Sequence, residues 1–63
     1  MNIREVDDGM WEVYDNGGLV GNVVAEPWHD TYLGCVFGVP KVQRRTLHAT
    51  AAALVRYERE REN

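Results

Sequence analysis

Asn16-Gly17 lies between two runs of alternating apolar residues, "MWEVY" (10 to 14), built around Trp11 and Val13, and "LVGNVVA" (19 to 25), rich in β-branched side chains. Two adjacent residues that accept positive φ, set between such runs, specify a tight hairpin whose twist matches that of paired strands. Antiparallel pairing follows for the chain around it. Further turn signals, "DDG" at 7 to 9 and "EPWHD" at 26 to 30, cut the flanking sequence into pieces of strand length. An aromatic and apolar run, "TYLGCVFG" (31 to 38), comes next, and a weaker "IREV" (3 to 6) stands in front. These pieces read as an antiparallel meander of three strands, or four if "IREV" pairs.

From Thr46 the period changes. At roughly 100° per residue Leu47, Ala51, Leu54 and Glu58 share one face, flanked by Thr50 and Tyr57, with Val55 at its edge. Thr46 suits the N-cap, "ATAAAL" favours helix, and Arg56 and Glu60 stand at i,i+4 in a charged last stretch. Pro40 reads as the end of the last strand and the start of the connection. The expected fold is therefore α+β: a single small β-β-β-α domain over residues 1 to 63, its one C-terminal amphipathic helix packed on one sheet face.

This order, with "WEV" at 11 to 13, "VGNV" at 20 to 23 and, with one extra residue, "GCVF" at 34 to 37, resembles the three-strand-plus-helix domains of short actinobacterial and phage proteins. There a Trp-x-Val, a Val-Gly-x-Val and a Gly-x-Phe strand precede the helix. The same order resembles the sheet-reading DNA-binding domains of plant ethylene-response factors and of integrase arm-binding domains. That second resemblance implies a sheet docked in a DNA groove.

Charge argues against that use of the sheet. From Glu5 to Pro40 there is no Lys or Arg, while Glu5, Asp7, Asp8, Glu12, Asp15, Glu26 and Asp30 are acidic. Residues 41 to 63 hold six cations, Lys41, Arg44, Arg45, Arg56, Arg59 and Arg61, against three glutamates. A sheet in a groove needs Lys and Arg to neutralise phosphates. Nucleic-acid binding by the strands is disfavoured on that ground.

Apolar residues fall on both sides of the strands. In "LVGNVVA" one alternating set is Leu19, Val23 and Ala25 and the other Val20 and Val24; in "TYLGCVF" the sets are Tyr32 with Val36 and Leu33 with Cys35 and Phe37. One helix covers one face, so the second reads as a surface for a second copy of the chain or another protein, the alternative being a two-sided sheet with one or two exposed valines, as is ordinary in small proteins. A chain of 63 residues strengthens the expectation. Domains near that size remove only about 60% of their unfolded surface from water. The single Cys35 forms no intrachain disulfide, and no Cys/His spacing fits structural zinc, which leaves association as the common device. The candidate partner-binding residues are Trp28, in a loop after Pro27, with Tyr14, Tyr32, Val20 and Val24. Trp11 reads as core.

Little in the sequence points to chemistry. Cys35 could be drawn together with His29 or His48, but no third orienting group is evident, and a cysteine in an apolar strand is more often a small buried hydrophobe. The acidic pairs lack the spacing of a calcium loop, and no phosphate-binding glycine loop occurs, so neither a metal nor a cofactor is expected. "KVQRRTLH" (41 to 48) places Lys41, Arg44 and Arg45 against the helix dipole. They read as solvated charges that balance the acidic sheet, with a phosphate site reinforced by helix-start amides as the functional alternative. Neither a secretory leader nor an apolar run long enough for a bilayer is present in the 63 residues, which reads as a cytoplasmic protein, in the manner of short bacterial and bacteriophage reading frames. The function expected is a non-enzymatic protein-interaction module, homodimeric, whose acidic and apolar sheet surface engages a basic protein as a DNA mimic would. The alternative is a nucleic-acid-binding regulator using Lys41, Arg44, Arg45 and the helix end from Arg56 to Arg61.

Overall fold

The computed structural model describes residues 1 to 61. The elements are β1 (Asn2–Asp7), β2 (Met10–Asp15), β3 (Gly18–Glu26), β4 (Thr31–Val36), β5 (Val39–Arg44) and α1 (Leu47–Arg61). The strands lie side by side in chain order as one antiparallel meander. The α+β class and the C-terminal helix agree with the sequence reading, but the sheet has five strands rather than three or four.

The first additional strand is "IREV" itself, extended to Asn2–Asp7, with Ile3 opposite Val13 and packed against the core. The second was hidden by two signals. "TYLGCVFG" stops at Val36, and Phe37-Gly38 forms a two-residue turn with φ of +51° and +77° that folds Val39–Arg44 back onto β4. Such turns favour Asn or Gly, so a phenylalanine there reads as more strand. Pro40, taken as the end of pairing, sits inside β5 opposite Cys35, where the register shifts. It is tolerated because β5 is an edge strand and loses no ladder bond that a central strand would need. Lys41 and Arg44 accordingly belong to a strand, and the basic segment is a sheet edge that only ends at the helix start.

Other local expectations agree with the backbone. Asn16 and Gly17 both have positive φ, at 53° and 79°. The Thr46 hydroxyl accepts from the Ala49 N–H at 3.1 Å and so caps α1, while the buried Thr50 hydroxyl donates to the Thr46 carbonyl at 2.7 Å. The helix buries Thr50, Ala51, Leu54 and Val55. Val13 and Val23 meet them from the sheet, with Ile3, Trp11, Val20, Tyr32, Val36, Val42 and Leu47 around that centre.

The helix comes close because two strand positions lack a side chain. A Cβ at Gly21 would collide with the Cys35 carbonyl oxygen and lie 3.1 Å from Leu54 Cδ2. At Gly34 it would stand 2.5 Å from Val42 Cγ2 and 3.3 Å from Thr50 Cγ2. The backbone carbonyl cannot swing aside as a flexible side chain could. Gly21→Ala is therefore expected to lower stability by about 2–3 kcal/mol. The measurement is a urea unfolding curve with a reduced midpoint and unchanged slope; a midpoint equal to the parent's would mean that the seam has slack.

Candidate functional site: the open sheet face

Gly34 and Val23 face the helix, so residues one step along each strand face away from it. Met10, Val24 and Leu33 are consecutive cross-strand partners on that open side and form an apolar row over β2, β3 and β4. Beside it runs a second row in which Arg4, Glu12, Asn22 and Cys35 are successive partners. Neighbouring side chains in such rows lie close enough to interact.

The acids of this face are already engaged. Glu26 Oε1 accepts from the Thr31 hydroxyl and from Gln43 Nε2, both at 3.1 Å, and Gln43 Nε2 also reaches Thr31 Oγ1 at 2.9 Å. The Tyr14 hydroxyl donates to Glu12 Oε1 at 2.8 Å. Because that bond requires the protonated phenol and the carboxylate repels a phenolate, Tyr14 titrates above its ordinary value of 10.0. A raised phenol pKa means that its small stabilising contribution is full below the ordinary value and fades as pH rises through the folded one. The open face is thus an apolar row flanked by the bonded Glu12 and Glu26 and by Arg4 and Asn22.

The five residues singled out from the sequence are not one patch. Tyr14 and Val24 do lie on the open face. Val20 and Tyr32 pack against the helix-side core, with the Tyr32 ring 5.7 Å from that of Trp11. Strict alternation had paired Val20 with Val24. The register shift between Val13 and Tyr14 gives β3 an extra residue, which breaks the alternation and delivers Val20 to the helix side. Trp28 is 91% exposed in the β3–β4 turn. Met10 and Leu33 were missed as site residues because their neighbourhood depends on register, which the sequence does not state. Phe37, 97% exposed, was missed as an exposed residue because it read as strand interior.

Charges collect at particular ends. The β1–β2 and β3–β4 turns lie at the same end of the meander, which brings Asp7, Asp8 and Asp30 to the end that carries Trp28. Lys41 and Arg44 are exposed on β5, and Arg45 follows it. Lys41 Nζ stands 5.8 Å from the centre of the Tyr57 ring, and Arg44 Nη1 donates to the Gln43 carbonyl at 2.7 Å. Cations of the helix end face acids: Arg59 meets Asp15 at 2.9 Å, Arg61 meets Glu58 at 3.1 Å and Arg56 meets Glu60 at 3.6 Å. The Met1 amino group joins Asp15 at 3.7 Å.

Cys35 is 8% exposed and lies on the open face between Asn22 and Pro40, outside the helix-side core. Burial pushes its thiol pKa up, which disfavours the nucleophilic thiolate. His29 and His48 are exposed. Among the described residues no group of three or more His, Cys, Asp and Glu is placed to hold a metal ion, and no helix is long and apolar enough to cross a membrane. What the open face offers is apolar contact area beside two bonded carboxylates, Glu12 and Glu26.

The two tryptophans should separate in mutagenesis. Trp28→Ala is expected to leave unfolding stability within about 0.5 kcal/mol of the parent, and Trp11→Ala to lower it by about 3 kcal/mol. Equal losses in a denaturant titration would place Trp28 in the packed structure. Alkylation of Cys35 by iodoacetamide should be slow in the folded protein and rapid in urea; equal rates would show an accessible thiolate.

Comparison with protein-family models, with curated proteins and with solved structures finds no match in any of the three.

Proposed function

We propose that this chain is a small non-enzymatic protein-interaction module, which pairs with a second copy of itself through the open sheet face and presents its acidic end with Trp28 to a basic partner protein. The observation that carries this reading is the row of Met10, Val24 and Leu33, left uncovered while α1 is committed to the opposite face. Full burial of a side chain of this kind contributes about 1.5–3 kcal/mol. That is large against the marginal stability of so small a domain.

Face-to-face pairing is favoured over edge addition. β1 carries Arg4, Glu5 and Asp7, and β5 carries Pro40, Lys41 and Arg44, all devices that obstruct a further strand. On the open face, by contrast, Glu26 and Glu12 keep their bonded partners when water leaves, and Asp7, opposite Met10 at the rim of the row, keeps the Asp8 N–H. A two-fold contact requires one self-complementary patch, and a compensated apolar row meets that requirement. At the end with the exposed tryptophan, Asp7, Asp8 and Asp30 outnumber Arg44 and Arg45 of the β5 side, which suits a basic surface such as one that otherwise meets nucleic acid. Direct nucleic-acid binding by Lys41, Arg44 and Arg45 is the weaker reading, because three cations neutralise few phosphates.

The test is solution mass by light scattering coupled to size exclusion at low and high salt. Twice the chain mass of 7.2 kDa should appear and persist in high salt. Val24→Glu or Leu33→Glu should give a monomer whose circular dichroism is native. A parent protein that stays monomeric at every concentration would overturn the pairing.

A further inference from the structure

The seam between β5 and α1 forms a different surface, which stays free when the open face is paired. A groove of about 600 Å³ runs along it, floored by Val42, Ala49, Ala52, Ala53 and Tyr57 and bordered by Arg44, Arg56 and Glu60. Tyr57 also lines an adjoining cleft of about 240 Å³ with Val36, Phe37, Val39 and Lys41, to which Glu58 and Arg61 also contribute. The two hollows form one track from the β4–β5 turn to the start of the helix.

Phe37, at the end of that track, is costly to the folded chain on two counts. Its φ of +51° lies in the left-handed region, where the other non-glycine residues are Asn16 and Asp30, types that tolerate it. For a bulky side chain this conformation is strained. The ring is also 97% exposed, and Val39 beside it is 50% exposed, so burial within the chain returns almost nothing. A strained and solvated aromatic in a small domain marks a contact made with something else.

Charge identifies the chemistry of that contact. Lys41, Arg44, Arg56 and Arg61 line the track, where Glu60 offsets Arg56 and Glu58 offsets Arg61, which leaves Lys41 and Arg44 in excess. We propose that the β5–α1 seam is a docking groove for an acidic segment of a partner protein that also carries apolar side chains, with Phe37 as its anchor. An apolar floor that includes three alanines accommodates aliphatic side chains along most of its length, whereas a base would find rings to stack on only at Tyr57 and Phe37. A polyanion would further meet Glu60 and the acidic strands. A second copy offering the same seam would bring Lys41, Arg44 and Arg45 against their own counterparts, which is repulsive.

The test uses the full chain and three fluorescein-labelled probes of equal length: a peptide alternating Glu and Leu, a peptide alternating Lys and Leu, and a single-stranded DNA oligonucleotide. Fluorescence anisotropy should show binding of the Glu–Leu peptide that weakens with salt, and little binding of the other two. Arg44→Glu should weaken it about tenfold or more, as loss of a binding hot spot does. Phe37→Asn should weaken it by a similar factor and yet raise the melting temperature, because Asn accepts the turn conformation. That opposition separates an anchor from a structural residue. Binding of DNA at least as tight as that of the Glu–Leu peptide, equal binding of the Lys–Leu peptide, or Glu–Leu binding indifferent to both substitutions would overturn the proposal. A fall in melting temperature for Phe37→Asn would overturn the role of Phe37.

Discussion

Leu54 is fully buried on α1 above Gly21 and Gly34, and the rest of the molecule depends on how close that contact is. Because the two strand positions carry no Cβ, the helix backs directly onto β3 and β4, and Val13, Val23, Ala51 and Val55 can close around it. Close packing of this kind gives dispersion contacts that a larger separation would forfeit. The contact also commits the chain's one apolar helix stripe to a single side of the sheet.

The two sides of the sheet are treated differently. On the helix side polar groups are few, and the buried Thr50 hydroxyl is satisfied by its own helix. On the open side acids and amides are bonded to one another around the row of Met10, Val24 and Leu33, an arrangement that tolerates water and equally tolerates its removal. Both edges carry charge or proline, which obstructs the addition of a further strand. Trp28 and Phe37 project from opposite ends of the meander. Both ends carry mixed charge: Asp7, Asp8 and Asp30 share the first with Arg44, and Lys41, Glu58 and Arg61 surround the second.

Much of the fold was legible because its signals are local. Asn16-Gly17 marks a positive-φ hairpin, Thr46 caps a helix, and the spacing of Leu47, Ala51 and Leu54 marks its buried stripe; none of these requires a distant residue. Where the sequence misled, a tertiary condition overrode a local one. Pro40 stops a strand in general but not at an edge, and Phe37 reads as strand although the next strand needs it in a turn. Val20 and Tyr32 lie on the opposite side of the sheet from Val24 for a related reason. One extra residue in β3 reverses the side to which Val20 points, and the position of the helix decides that Tyr32 is core.

By itself the sequence determined the class of fold, the hairpin geometry, the helix stripe and the separation of acidic from basic residues along the chain. These follow from backbone preference, side-chain period and charge, which are properties of short stretches. Only the tertiary structure decided the number of strands, which side chains share the open face, and that Lys41 and Arg44 belong to a sheet edge beside a groove. Those depend on register, on an irregular residue and on the resting place of α1, and each is set by contacts between segments far apart in the chain.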